Sequence, residues 1–166
     1  MILQNQIDKY LAKNAINGCV YKLSYGGKYI IVKGKTLTGS LFFIQNGFSY
    51  FNPRKAAKDT LYLHFYNHIL ETPNGKFRVR ILLKSKNAYS LLRREQYEID
   101  KNMYDKSFLN NTVEAYIPKI NAFGDAYGWI PMHAVMNFQK YLNSKVRKDL
   151  MAKGKKKQQQ VLAKSV

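Results

Sequence analysis

The chain has 166 residues, 46% of them hydrophobic, which predicts one domain that buries a core without disulfide or metal support. The single Cys19 excludes an internal disulfide and a cysteine zinc cluster, so we expect a buried thiol in a reducing compartment. A net charge of +18, from 28 Lys and Arg against 10 Asp and Glu, favours polyanionic partners: nucleic acid, acidic protein surfaces or anionic lipid. No apolar run reaches the roughly 18 residues of a membrane span, and we expect no membrane partner and no small-molecule substrate.

The positive charge is spread along the chain and is densest at the C-terminal end. Residues 145–166 carry eight basic residues and one acid, a net charge of +7, which leaves +11 on residues 1–144. The tail alone therefore does not explain the charge.

The 13 Tyr and 9 Phe suit contact surfaces that are both apolar and hydrogen-bonding, and strand packing accounts for them equally well.

Hydrophobic spacing and turn residues define the N-terminal half. Leu3, Ile7 and Leu11 recur every four residues, as on one face of a helix. Gly26-Gly27 accepts the positive φ that a tight turn between two strands requires. In chain order these patterns predict a helix over 3–14, a hairpin over 19–25 and 28–33, a second hairpin over 41–44 and 48–51, and a basic connector over 53–59.

The C-terminal half predicts helices around a further strand. Asn87 is placed to cap a helix, and Pro131 suits the first turn of the last helix. The run of Lys and Gln over 153–160 predicts a tail that is disordered unless a partner holds it. The predicted elements are helices over 60–70, 87–101 and 131–150, strands over 77–83 and 113–117, and a loop over 118–130.

This order of elements predicts an α+β fold. We expect a single domain in which helices pack on a small mixed or antiparallel sheet, followed by a C-terminal helix and a basic tail. The expected division is an N-terminal arm over 1–17, a core over 18–117, a loop and helix over 118–150, and the tail over 151–166.

Basic residues on three segments are candidates for contact with nucleic acid or an acidic partner. Arg78 and Arg80 alternate with apolar residues on a predicted strand, so they share one face of it. A solvated strand face is the alternative interpretation of the same pattern. The candidate residues are Arg54, Lys55, Arg78, Arg80, Lys155, Lys156 and Lys157. We expect no cofactor, because no Glu or Cys completes a metal site near His64 and His68.

Three segments resemble the GIY-YIG nuclease family over roughly residues 18–117. Cys19-Val20-Tyr21 stands where the family has Gly-Ile-Tyr, and Val32-Lys33-Gly34 stands eleven residues later, where it has Tyr-Ile-Gly. The segment over 92–100 closely matches the helix that carries the metal-binding Glu of the family. The resemblance implies that Tyr21 activates water and that Glu95 binds Mg²⁺, with Asn110 or Asn111 matching the conserved Asn of the family.

The departures from this motif bear on function. The second Tyr is replaced by Val32, although Tyr29 lies nearby, and the Arg that clamps the phosphate falls among residues 40–43, which include no basic residue. Arg54 reaches the site only if its loop folds back, and losing the clamp costs several kcal/mol of transition-state stabilisation. We therefore expect a protein that is not an enzyme, in which Tyr21 is a core strand residue and Glu95 a solvated or capped helix residue. An active Mg²⁺-dependent nuclease is the alternative.

The whole chain is also similar to ring-forming structural proteins of crAss-like bacteriophages. The segments that carry this similarity are residues 21–37, 111–119 and 127–130. It implies a virion component made in the host cytoplasm, a homo-oligomeric ring of the tail or collar below the portal that helps to build the DNA-ejection channel. Expected partners are other tail and portal proteins, with possible contact with DNA. A non-cutting DNA-binding module is a further alternative.

Overall fold

The computed structural model describes residues 17–37, 62–110, 112–115 and 130–164. The predicted helix over 3–14, the second hairpin, the basic connector with Arg54 and Lys55, and the loop up to residue 129 lie outside the described residues. The described elements are β1 (Asn17–Tyr25), β2 (Lys28–Thr36), α1 (Leu63–Glu71), β3 (Phe77–Lys84), α2 (Ala88–Asn102), α3 (Met132–Leu142) and α4 (Lys145–Lys164).

The three strands form one antiparallel sheet in the order β2-β1-β3, which confirms the predicted α+β class. The β1–β2 hairpin turns at Gly26 (φ 55°) and Gly27 (φ 81°), and two consecutive positive φ angles are the backbone of a type I′ turn. The predicted hairpin is therefore confirmed, with each strand longer than the pattern indicated.

A register shift in the β1–β3 pairing changes which side chains share a face. Val20 pairs with Leu83 and Tyr21 with Ile81, so Leu82 is the extra residue of a β-bulge. Leu82 and Leu83 consequently pack in the same hydrophobic cluster, although they are consecutive. The bulge ends the alternation of Arg78 and Arg80 with apolar residues along β3.

One face of the sheet, which we call the α1 face, packs against helix α1. Tyr21 and Leu23 of β1 and Val32 of β2 lie in one cluster with Phe65 and Tyr66 of α1. Phe65 and Tyr21 are fully buried, so this side of the sheet is a closed hydrophobic core.

The opposite face, the α2 face, packs against helix α2. Val20, Ile31 and Leu91 form a buried cluster between the sheet and this helix. Asn87 caps α2 as predicted, since its side chain accepts a hydrogen bond from the Ser90 backbone N–H at 3.1 Å. A third cluster, which includes Leu92 and Phe138, joins α2 to α3.

The predicted strand over 113–117 is wrong for the residues that the structure describes. Residues 112–115 form no strand, and 116–117 lie outside the described residues. The Gln96 side chain satisfies this backbone in place of a neighbouring strand. It donates to the Val113 carbonyl at 2.9 Å and accepts from the Ala115 N–H at 2.8 Å.

The C-terminal region differs from the prediction in two ways. The single helix expected over 131–150 is divided into α3 and α4 at Asn143 and Ser144, because the Ser144 hydroxyl accepts a hydrogen bond from the Arg147 N–H at 3.3 Å and begins a new helix. The tail predicted to be disordered continues α4 as far as Lys164. A buried ion pair between Arg147 and Asp100 at 3.2 Å attaches α4 to α2. Within the described ranges, no helix is long and apolar enough to cross a membrane.

Candidate functional site

Tyr21, the residue in the nucleophile-activating position of the nuclease motif, lies in the hydrophobic core. It is at 0% exposure in the centre of β1, where it pairs with Val32 on one side and Ile81 on the other. Paired residues of antiparallel strands point to the same face, so all three side chains belong to the α1 face. Tyr21 and the position of the missing second Tyr are therefore adjacent in the sheet, and both fill the core.

Glu95, the residue in the metal-ligand position, is not the solvated or capped helix residue that the sequence predicts, because it forms a buried ion pair. Its carboxylate Oε1 lies 3.7 Å from Nζ of Lys33, and each side chain is only 3% exposed. Lys33 is next to Val32 in β2 and therefore points to the α2 face. The pair joins the middle of α2 to the edge of the sheet.

The structure does not bring the two motif residues together, because Tyr21 and Glu95 lie on opposite faces of the sheet. The residues present also do not fit a magnesium ion, since an ammonium group already faces the Glu95 carboxylate. In the described part of the chain, no three His, Cys, Asp or Glu side chains group closely enough to hold a metal ion. We derive no catalytic step through this site.

Asn110, one of the two residues matched to the conserved Asn of the family, completes the free edge of β2. Its side-chain oxygen accepts from the Ile31 N–H at 2.9 Å, and its amide donates to the Ile31 carbonyl at 3.1 Å. This side chain imitates a strand partner, and so it satisfies backbone groups that an edge strand leaves open. The other match, Asn111, lies outside the described residues.

The α2 face carries a cationic patch where α2 does not cover it, which we call the basic sheet face: Lys22, Arg78 and Arg80. Lys22 is the direct cross-strand partner of Arg80, and Arg78 pairs with the neighbouring Ser24. Both arginines are exposed, and neither forms an ion pair with any residue that the structure describes. Like charges opposite each other destabilise a sheet, so the Lys22–Arg80 pair does not contribute to the stability of the fold.

Lys22 is held within the basic sheet face by an aromatic ring. Its Nζ lies 4.0 Å from the centroid of the Tyr29 ring, within the range of a cation–π contact. The Tyr29 hydroxyl donates to Asp105 Oδ2 at 2.7 Å, which fixes the ring. Burial, followed by this hydrogen bond and the charge of Asp105, raises the pKa of Tyr29, so the ring stays neutral beneath the lysine.

The three predicted basic residues near the C-terminal end lie on a different element from this patch. Lys155, Lys156 and Lys157 are exposed on α4, which packs on α2 near Asp100. Arg54 and Lys55 lie outside the described residues. The described basic candidates therefore form two surfaces, the basic sheet face and the exposed part of α4.

Sequence reasoning missed Lys22, Lys33 and Arg93 as residues of interest. Lys22 stands at a polar position of an alternating strand, but only the non-local β1–β3 register places it opposite Arg80. Lys33 interrupts an apolar strand, and a charge in that position is a signal of a buried partner. Arg93 stacks on Tyr141, which is 48 residues away and cannot be paired with it from local patterns.

Comparison with known proteins finds no matching family model, no matching curated protein and no matching solved structure.

Proposed function

We propose that this protein is a non-enzymatic structural component of a bacteriophage virion, a ring-forming subunit of the tail or collar below the portal that helps to build the DNA-ejection channel. The observation that carries the proposal is helix α4, which has 20 residues and buries none of them. The similarity of the chain to crAss-like phage ring proteins supplies the setting.

Helix α4 has the character of an arm that contacts a neighbouring subunit. At 1.5 Å per residue it is about 30 Å long, comparable to the diameter of a small domain. Only one stripe of partly covered residues, including Arg147, Leu150 and Gln158, faces the body, and residues 159–164 are all exposed. Most helical stability in proteins comes from tertiary packing, so a partner that covers the distal turns would stabilise them. Val161, 57% exposed, offers that partner an apolar contact.

In a closed ring, such an arm would lie at the contact between two subunits. Closed rings form through head-to-tail contacts in which one surface of a subunit meets a different surface of the next. The distal end of α4 would supply one of these surfaces. The exposed apolar side chains of the body, such as Met136 at 53% and Val113 at 61%, are available for the other.

The positions of Tyr21 and Glu95 support a function other than cutting DNA. Phosphodiester cleavage requires a nucleophile activator, a cation and an electrophilic clamp converging on one phosphate. Tyr21 fills one core, and Glu95 is paired with Lys33 on the other side of the sheet. Both residues contribute to folding in these positions, as expected for a fold retained as a scaffold.

The ring assembly is tested by the native mass of the purified full-length protein and by negative-stain images, at low and moderate salt. We expect closed rings, alone or after addition of portal-side tail proteins. Deleting residues 155–166 should abolish the rings. Val161→Asp should weaken ring assembly without unfolding the protein, because Val161 is exposed. Replacing Lys155, Lys156 and Lys157 with Gln removes positive charge from α4 and keeps its helical sequence. This variant shows whether charge or apolar contact contributes to ring assembly. A monomer under every condition, with or without tail proteins, would contradict the proposal.

A DNA-binding module without assembly is the second candidate, and the basic sheet face is the observation that favours it. Arg78 and Arg80, which form no ion pair with any described residue, lie next to Lys22 and are suited to phosphate oxygens, which supply most of the affinity in sequence-independent binding. The protein would then bind duplex DNA as a monomer, with an affinity that falls steeply with salt. Salt-independent binding, or no binding, would reject this candidate and leave the ring proposal standing.

A further inference from the structure

A groove of about 680 Å³ lies between helices α2, α3 and α4, and neither Tyr21 nor Glu95 lines it. Residues from all three helices form its walls, so the groove exists only because α4 packs beside α2. Its lining combines aromatic, cationic and aliphatic side chains. The lining includes Tyr89, Arg93, Tyr97, Tyr141, Val146 and Lys153.

Arg93 is held in one orientation within this groove. Its guanidinium lies 3.8 Å from the centroid of the Tyr141 ring, and its Nη1 donates to the Tyr89 hydroxyl at 3.1 Å. Tyr141 is itself 7% exposed, so the ring beneath the guanidinium is fixed by the core. An arginine that is stacked in this way loses little conformational freedom when it binds a further group.

No residue in the described ranges supplies a carboxylate to Arg93. Its neighbour Arg94 shows the contrast, since Arg94 Nε donates to Glu98 Oε1 at 2.9 Å. A guanidinium has five N–H donors, and the contact with Tyr89 uses one of them. Arg93 is only partly exposed, so leaving its charge without a counter-ion is unfavourable, and a carboxylate from outside would satisfy it.

The other lining residues of the groove indicate which side chains would bind next to that carboxylate. Val146 is 64% exposed and Tyr97 39% exposed, so both present apolar surface to an occupant. Lys153 adds a second cation, and Asp149 stands on the same wall. The groove therefore suits a chain that carries negative charge and apolar side chains together.

We infer that this groove binds an extended acidic segment of a partner protein, with one carboxylate on Arg93 and a neighbouring apolar side chain against Val146 and Tyr97. A second copy of the chain is a poor occupant, because at +18 it has few carboxylates to offer. The exposed aliphatic side chain of Val146 favours a peptide over nucleic acid, because it offers an apolar contact and no ring on which a base stacks. The interaction does not depend on the ring proposal, since it uses a different surface from the distal end of α4.

The probe is a short fluorescein-labelled peptide that alternates glutamate with leucine and tyrosine, and its matched control replaces every glutamate with glutamine. Binding to the full-length protein is followed by fluorescence anisotropy. We expect saturable binding of the acidic peptide and at least tenfold weaker binding of the glutamine peptide. Arg93→Gln should weaken the acidic peptide by about tenfold or more, the loss typical of a hydrogen-bonded charge.

Val146→Asp is the second variant, since it adds a repelling charge at an exposed position and leaves the Arg93 stack intact. It should also weaken binding about tenfold. Lys140→Gln, which also removes one positive charge but at an exposed position outside the groove, should change it less than about twofold. Circular dichroism spectra verify that each variant is folded.

Three results would overturn the inference: no saturable binding, an equal loss with Lys140→Gln, or tighter binding of labelled oligothymidine that Arg93→Gln removes. The last result would assign the groove to single-stranded nucleic acid. Ring assembly is read separately by native mass, so a failure of peptide binding and a failure of the ring are distinguishable.

Discussion

The Lys33–Glu95 ion pair offers the sharpest test of how this fold uses a position that resembles a metal ligand. Glu95→Gln keeps the size of the side chain, removes its charge, and leaves the Lys33 ammonium buried without its carboxylate. Breaking a buried pair from one side costs about 3–5 kcal/mol. The separation of 3.7 Å is longer than the ~2.8 Å of a charge-assisted hydrogen bond, so we expect the lower end, about 3 kcal/mol.

The assay is urea unfolding at neutral pH, followed by circular dichroism, together with a thermal melt. A loss of about 3 kcal/mol should lower the melting temperature by roughly 10 °C in a domain of this size. Glu71→Gln, a matched change at an exposed position, should alter stability by less than about 0.5 kcal/mol. Replacing both partners, with Lys33→Met and Glu95→Leu, should recover most of the loss, because the desolvation cost of both charges disappears.

The opposite outcome would refute this reasoning. If Glu95→Gln left stability unchanged or raised it, the carboxylate would be held at a cost to the fold, as functional carboxylates often are. Magnesium-dependent nicking of DNA by the wild-type protein, abolished by Glu95→Ala, would then restore the nuclease alternative. A destabilised Glu95→Gln variant and no nicking by wild type would agree with a scaffold.

Three further predictions follow from other parts of the structure. If DNA contacts the basic sheet face, the double variant Arg78→Gln and Arg80→Gln should reduce the slope of log affinity against log salt by about 2, near 0.9 per phosphate contact, whereas Lys140→Gln on α3 should not. Gly154→Ala should raise the free energy of unfolding by up to about 1 kcal/mol, because alanine favours the helical backbone of α4 and its Cβ would meet Asp100 O at an ordinary 3.7 Å; a lower free energy in urea unfolding would contradict this. Burial raises the pKa of Cys19 from 9.0 to about 11, so a thiol reagent should react with this residue at pH 8 only after unfolding, and rapid labelling of the folded protein would contradict this. The stability that the neutral thiol provides should be full below about pH 9 and lost as pH rises towards 11.

The parts of the fold that sequence predicted well are those determined by neighbouring residues. Gly26-Gly27 and the alternation on each side of it specify a hairpin locally, and the structure has that hairpin. Asn87 followed by a helical apolar pattern specifies the start of α2, and the cap is present. In each case the same few residues both encode the element and stabilise it.

The parts that were predicted wrongly are determined by contacts between distant residues. Asp100 and Arg147, 47 positions apart, attach α4 to α2, and this attachment distinguishes a packed helix from a free basic tail. Residues 113–115 were predicted as strand from their composition, but Gln96 takes their backbone groups. The break before α4 did have a local signal, since Ser144 is a favoured N-cap residue.

The opposite-face arrangement of Tyr21 and Glu95, which the sequence left open, also depends on contacts between distant residues. A motif match places residues along the chain, whereas their relation in space depends on strand parity and on the face against which α2 packs. Tyr21 and Val32 share the α1 face, and moving one position along β2, to Lys33, reaches the α2 face and Glu95. A shift of one residue along β2 therefore changes the face to which a side chain points, and this places Tyr21 and Glu95 on opposite faces of the sheet.

The buried acids of α2 connect the fold to its surface charge. The chain has 10 acids, and three of them, Glu95, Glu98 and Asp100, are buried on this one helix. Each is paired with a cation, and two of those cations, Lys33 and Arg147, come from other elements. These acids act as internal links and leave fewer carboxylates on the surface to oppose the exposed lysines and arginines. The outward field is consequently strongly positive, and it attracts DNA and acidic protein segments alike. Discrimination between them must then come from shape, with an open sheet face suited to a phosphate backbone and a walled groove suited to a peptide.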